Sequence, residues 1–287
     1  MMRGKIKRAL AGLFVLLLAL CLSAGLYVGL KGYGMYREAL EQKPLAEMAE
    51  QVRAQPDFTP LDELPRLYRD AVVAVEDHRF YSHGGVDFIA LCRALWNDVC
   101  AGAFVEGGST ITQQLAKNLY FTQEKVLTRK AAEAFMAWAI EKQYTKDEIL
   151  ELYVNSIYFG SGYYNVRQAS EGYFGKAPAQ MTPYECTLLA GVPNAPSAYD
   201  PAQNPGLARQ RQKKVVEQMV EELQSSDFQP IAFELGFGRN ETLPPVQLKV
   251  NGVQVSISGF VDRVDGWEHN GRLYVRVMDY KTGHKSF

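Results

Sequence analysis

Three features of this sequence predict a mainly α-helical domain behind one membrane-spanning helix, followed by a small β-rich fragment. First, the run "ALAGLFVLLLALCLSAGLYVGL", Ala9 to Leu30, holds no charged residue. At about 1.5 Å per residue it is long enough to cross a hydrocarbon layer of about 30 Å. Second, from Arg66 to about Leu223 the apolar residues recur at helical spacing, and no strand pattern of note interrupts them. Third, Val246, Leu248 and Val250 alternate with polar residues, Asn251-Gly252 follows, and Val253, Val255 and Ile257 alternate again. That is a hairpin with a type I′ turn signal.

Taken in order, the chain begins with a basic tip. Arg3, Lys5, Lys7 and Arg8 precede the apolar run, so the positive-inside rule keeps the N-terminus cytoplasmic and places everything after about Leu30 outside the membrane. The run is longer than the apolar core of a signal peptide, although "LSAGL" offers small residues for cleavage; a retained anchor over 1–30 is the favoured reading. Residues 31–60 are polar and carry prolines at 44, 56 and 60, which reads as a stalk with some helix.

Residues 61–224 form the helical domain. Leu67, Ala71, Val72 and Val75 make one apolar face, and Leu127, Ala131, Ala134, Phe135 and Trp138 another. Thr145-x-x-Glu148 and Thr182-Pro183-x-Glu185 are capping boxes, the second with proline at the first helical position. Asn204-Pro205 opens a last helix. Residues 225–287 are β-rich, and "RLYVRVMDYK" reads as a further strand. Of 287 residues, 47% are apolar and 22% charged, which excludes a disordered chain. A net charge of −1 gives no general attraction to nucleic acid. Cys21 lies in the anchor. Cys92, Cys100 and Cys186 have no metal-ligand spacing and read as small buried hydrophobes.

Four stretches of the helical domain carry chemistry. "VEDHRFYSHGGVD", Val75 to Asp87, crowds carboxylates, histidines, an arginine and two glycines together. "EGGSTITQQLAKN", Glu106 to Asn118, is a flexible loop of hydroxyl and amide side chains running into a helix. In "RKAAE", Arg129 and Glu133 share a helix face, roughly opposite the Ala131/Phe135/Trp138 stripe. "TKDEILELYVN" spans Thr145 to Asn155. Each alone has an ordinary structural reading: a solvated ion pair, a helix end, a linker. Their occurrence together, in this order, behind an anchor, favours a functional one.

These motifs resemble those of the family 51 glycosyltransferases, the peptidoglycan transglycosylases found alone or as the N-terminal half of class A penicillin-binding proteins. The likeness covers about residues 61–223. It implies a lysozyme-like helical fold and the polymerisation of lipid II into β-1,4 glycan strands, with undecaprenyl pyrophosphate as leaving group. It implies Glu76 as general base and Glu133 as second carboxylate. Lys117, Arg129 and Lys130 would neutralise the pyrophosphate, and Asp77, Phe80, His83, Thr110, Gln114 and Asn118 would line the cleft. A divalent cation, Mg²⁺ or Mn²⁺, assists many members; no organic cofactor is implied, and no protein ligand cluster is evident in the sequence. The expected partners are lipid II, the growing glycan chain, the bilayer, and transpeptidases or other cell-wall enzymes. The expected location is the cell membrane, single-pass, with the catalytic domain extracytoplasmic and an apolar jaw dipping into the outer leaflet.

The tail has a different kinship. "KTG" at Lys281 to Gly283 suggests a transpeptidase, but no serine has lysine three places later. "FELGFG" (from Phe233), "GFVDRVDG" (from Gly259) and "VMDYKTG" (from Val277) resemble instead the PD-(D/E)xK nuclease at the end of the helicase–nuclease B subunit. That likeness would make Asp262 and Asp279 ligands of Mg²⁺ and Lys281 the residue that steadies the attacking water. The expectation is a truncated, non-functional fragment joined by fusion or by a chimeric gene model, since an extracytoplasmic tail is kept from chromosomal DNA. A DNA end-processing nuclease, an inactive envelope scaffold and a glycoside hydrolase using Glu76 and Glu133 are the competing readings.

Overall fold

A computed structural model describes residues 2–101, 108–121, 126–225, 229–237, 246–250, 253–257, 259–269 and 272–278. The chain divides into two compact units, residues 1–215 and 216–287. The helices are α1 (Met2–Gln42), α2 (Leu45–Arg53), α3 (Arg66–Glu76), α4 (Phe88–Ala101), α5 (Ile111–Tyr120), α6 (Leu127–Gln143), α7 (Lys146–Val154), α8 (Val166–Phe174), α9 (Pro183–Gly191) and α10 (Pro205–Ser225).

Within the first unit, α3 packs against α9, and α5 against α6 and α7. Tyr68, Val72, Ile111, Leu115, Met136, Ile140, Leu150 and Leu189 fill the space between them. The helix starts follow the sequence signals. Thr145 and Thr182 accept from the backbone N–H groups of Glu148 and Glu185, whose carboxylates return to the threonine N–H groups. A third such box, Thr110 with Gln113, opens α5. Gly175 closes α8 in the left-handed conformation (φ 68°), where a side chain would be strained.

Gly12–Gln42 is long and apolar enough to cross a membrane. The helix runs unbroken to Gln42, so the first part of the expected stalk is helical. The remainder is folded onto the domain: Met48, Val52, Leu61 and Leu64 are buried, and Asn155 holds both the N–H and the carbonyl of Thr59 at 2.8 Å.

α6 departs from the simple amphipathic reading. Ala132, Glu133, Met136, Ala137 and Ile140 face the domain core. The Ala131/Phe135 side receives α1, with Tyr33 edge-on to Phe135 at 5.4 Å. A helix placed between α1 and a core needs two apolar faces, and the Ala131/Phe135 stripe is the one that meets α1. The cysteines also differ from expectation. Cys186 alone is buried, while Cys92 and Cys100 are exposed on α4. α4 is apolar on its outer side as well, with Phe88, Ile89 and Trp96 all more than half exposed.

In the second unit, β1 (Gln229–Phe237), β4 (Gly259–His269) and β5 (Arg272–Met278) form an antiparallel sheet in the order β1-β4-β5. β2 (Val246–Val250) and β3 (Val253–Ile257) pair with Val250 opposite Val253, the register that the Asn251-Gly252 sequence signal predicts. The "FELGF" and "GFVDRVDG" stretches fall on the neighbouring strands β1 and β4. Asp262 lies within β4; Asp279 and Lys281 lie outside the described residues.

Candidate active site

The site is assembled where α3 ends, α5 begins and α6 passes beneath both. Glu76 is the last residue of α3. Its Oε2 accepts from Gln114 Nε2 at 2.8 Å, while Oε1 is shielded from solvent and has no hydrogen-bond partner. Burial pushes its carboxyl above the ordinary range, against the Gln114 hydrogen bond and the charges of Arg211 and Lys117. A carboxylate with one oxygen held and the other free, destabilised by burial, is suited to take a proton.

Asp77 follows and does something different. Its Oδ1 accepts from His83 Nε2 at 2.7 Å, and its Oδ2 from the Ile111 N–H at 3.0 Å. It ties the end of α3 to the start of α5. The other His83 ring nitrogen meets the Gly84 carbonyl. Burial pulls the imidazole down, but Asp77 and Gly84 outweigh it, so His83 sits above its ordinary value. Two acceptors on two ring nitrogens favour the imidazolium. Asp87 caps α4 through the N–H groups of Ile89 and Ala90 and pairs with Arg79 at 3.0 Å.

Three atoms of Asp77, His83 and Asp87 lie close enough to hold a metal ion. The donor set does not fit one. The carboxylates already serve backbone N–H groups and Arg79, and the imidazole is turned to two acceptors. The cluster is a clasp between the end of α3 and the start of α5.

The second focus is on α6. Glu133 is only 1% exposed. Its two oxygens meet Arg129 Nη1 at 2.6 Å and Lys130 Nζ at 3.0 Å. Lys130 also donates to Ser109 Oγ at 2.6 Å. Lys117 joins the two foci. Burial lowers its ammonium, Glu133 opposes this, Arg129 and Lys130 reinforce it, and Glu76 opposes it. Lys117 therefore feels both carboxylates. Three cations around one buried carboxylate leave an excess of positive charge that suits an anion.

Not every expected residue lines a cleft. Phe80 is fully buried, with Lys146 Nζ 4.4 Å from its ring centre. Thr110 is buried and donates to the Gly85 carbonyl at 2.8 Å while capping α5. Both are packed into the interior, Thr110 at the start of α5. Gln114, Lys117 and Asn118 are half-buried on α5. Sequence reading missed Arg211, which is 135 positions from Glu76 in a basic run, and Ser109, which appeared as part of a loop.

Beside the cations lies an apolar cavity of roughly 470 Å³. Gly25 and Val28 of α1, Leu91 of α4 and Ala131 and Ala134 of α6 wall it, and Lys130 also lines it. Phe88, Ile89, Trp96 and Leu127 are exposed on the same two helices, α4 and α6. They give α4 and α6 an exposed apolar surface, and Phe88 and Leu127 also line the cavity.

Residues 41–220 match the transglycosylase family. Residues 173–287 match the PD-(D/E)XK nuclease superfamily, which agrees with the likeness read in the tail. A protein named as a transglycosylase in Cupriavidus necator is 45% identical over 183 residues, 64% of this chain and 79% of that one. Penicillin-binding protein 1A of Neisseria flavescens is 47% identical over 166 residues, which is 58% of this chain but 21% of that protein. The crystal structure of penicillin-binding protein 1A from Haemophilus influenzae aligns with 59% of this chain and 16% of its own, at 22% identity and a TM-score of 0.34. The motifs, the paired carboxylates and a match over residues 41–220 agree: the chain belongs to the transglycosylase family and is a peptidoglycan glycosyltransferase.

Proposed function

We propose that this glycosyltransferase polymerises lipid II by a base-assisted inverting displacement with Glu76 as the base. Glu76 takes the proton from the 4-hydroxyl of the incoming GlcNAc. The oxygen attacks the anomeric carbon of the MurNAc at the end of the growing chain, and the bond to undecaprenyl pyrophosphate breaks. Lys117, Arg129 and Lys130 receive the departing negative charge, and Glu133 holds the latter two in place. The observation that carries this reading is Lys117, set in the field of both carboxylates, with an ion-paired Glu133 on one side and a half-engaged Glu76 on the other.

The apolar cavity at Lys130 suits the polyprenyl chain, with the pyrophosphate at that lysine. We assign any divalent cation to the substrate's pyrophosphate, because Asp77, His83 and Asp87 are already engaged. The basic tip before α1 argues for a cytoplasmic N-terminus and an extracytoplasmic domain, where transpeptidases would cross-link the product. We read the tail as a nuclease-like passenger with no DNA substrate in that location.

Glu76→Gln keeps the hydrogen-bonding shape and removes the base. It is expected to abolish lipid II polymerisation, by at least a hundredfold, with an unchanged melting temperature. Turnover retained in that variant would overturn the assignment.

A further inference from the structure

Tyr153 of α7 is wholly buried beneath the base, and the mechanism above gives it no role. Its hydroxyl donates to Gln114 Oε1 at 3.2 Å, and Gln114 Nε2 donates to Glu76 Oε2 at 2.8 Å. A glutamine amide has an accepting end and a donating end. With its oxygen turned to Tyr153, the amide offers an N–H to Glu76. Reversed, it would set a carbonyl oxygen against the carboxylate, a contact that persists only if Glu76 carries a proton. A protonated Glu76 is no base.

We propose that Tyr153 is a positioning residue that locks the Gln114 amide with its N–H towards Glu76, keeping that carboxylate ionised and its Oε1 free for the acceptor hydroxyl. This deepens the reading of Glu76 as base and rests on it. Burial and the nearby Glu76 keep the Tyr153 phenol protonated, so it remains a donor. The other groups that act on Glu76 are Lys117 of α5, Arg211 of α10, Asp77 at the end of α3, and Tyr68 of α3. α9, packed on α3, presents Cys186 to Tyr68. None of these charges is altered by removing the Tyr153 hydroxyl, so a change in the titration of Glu76 would report on the amide.

The test uses the full chain in detergent with lipid II as substrate, and compares wild type with Tyr153→Phe, Gln114→Met, the double variant and Glu76→Gln. Tyr153→Phe keeps the ring in the core. It is expected to lower kcat about tenfold with little change in KM, and to move the acid limb of the pH–rate profile to higher pH. Gln114→Met, which removes the donor directly, is expected to shift the same limb the same way. Tyr153→Phe should then add nothing on the Gln114→Met background. A wild-type acid limb in Tyr153→Phe, or an equal effect of that change on the Gln114→Met background, overturns the proposal. Were Tyr153→Phe not to fold, a wild-type acid limb in Gln114→Met would overturn it alone. The two readings fail separately: active Glu76→Gln removes the base assignment, whereas inactive Glu76→Gln with unaltered Tyr153→Phe removes only the relay.

Discussion

Gly85→Ala is the substitution whose cost follows most directly from the packing. A Cβ built on Gly85 would lie 2.6 Å from the carbonyl carbon of Ala137, 2.7 Å from the Trp138 nitrogen and 2.8 Å from the Ala137 oxygen. All three are backbone atoms of α6 and cannot rotate away. Ordinary contact begins near 3.4 Å, so the loop and helix must part by about 0.8 Å. Overpacking of this kind costs about 1–3 kcal/mol. The Gly85 carbonyl also accepts from Thr110, the cap of α5, and weakening that bond adds about 1 kcal/mol. At about 2–4 °C per kcal/mol for a domain of this size, the melting temperature should fall by about 4–16 °C. Because His83 and Asp87 flank Gly85 and α6 bears Glu133, lipid II turnover should fall as well, with kcat affected more than KM. The assays are thermal melting in detergent and polymerisation of lipid II. A Gly85→Ala protein that melts within 1 °C of wild type, roughly the resolution of such a melt, and turns over normally would falsify the claim that this loop rests on the α6 backbone.

Gly32 makes the corresponding contact for the anchor: a Cβ there would lie 2.5 Å from Ala131 Cβ and 2.9 Å from the Thr128 oxygen and the Ala132 nitrogen. Gly32→Val should lift α1 from α6, lower the melting temperature by several degrees and slow polymerisation, whereas Gly34→Val, which meets nothing within 4 Å, should do neither. On pH, burial would raise the carboxyls of Asp87, Glu148, Glu185 and Asp200, but backbone N–H groups and neighbouring cations or hydroxyls hold all four below their ordinary values. The folded state therefore binds fewer protons than the unfolded chain, so their stabilisation is present above pH of about 4.3 and is lost as pH falls through the lower folded values. Melting temperatures measured between about pH 3 and 6 should drop steeply at the acid end, and Asp87→Asn should flatten that drop. His83 has the opposite sign. Its raised value gives stability that is full below about pH 6.5 and is lost as pH rises through the folded value, so His83→Gln should flatten a decline on the alkaline side.

Much of this architecture was legible because local chemistry decided it. The capping boxes at Thr145 and Thr182 signal their own helix starts, and the alternation around Asn251-Gly252 dictates the register of β2 and β3. The site residues were named by motif, and Glu76, Lys117, Arg129, Lys130 and Glu133 do converge. What could not be read was the direction each side chain takes. Phe80 and Thr110 belong to the same motifs as Glu76 and Gln114, yet they turn inward, because a motif records only that a position matters. Arg211 has no local signal at all, since its nearness to Glu76 is created by the packing of elements far apart in the sequence.

α6 explains why the anchor and the chemistry belong to one unit. Its inner face carries Met136, Ala137 and Ile140 in the core, its outer face takes Tyr33 and Gly32 of α1, and Arg129, Lys130 and Glu133 occupy its first two turns. A displacement of the anchor is therefore a displacement of the cations. If the leaving pyrophosphate sits at Lys130 with its lipid chain against Gly25 and Val28, the substrate bridges the same two helices that Gly32 holds together. Substrate binding should then tighten the α1–α6 contact. α1, the helix long and apolar enough to cross a membrane, lines the cavity at Lys130, and on the proposed reading it is therefore part of the wall of the substrate site, a stronger role than tethering.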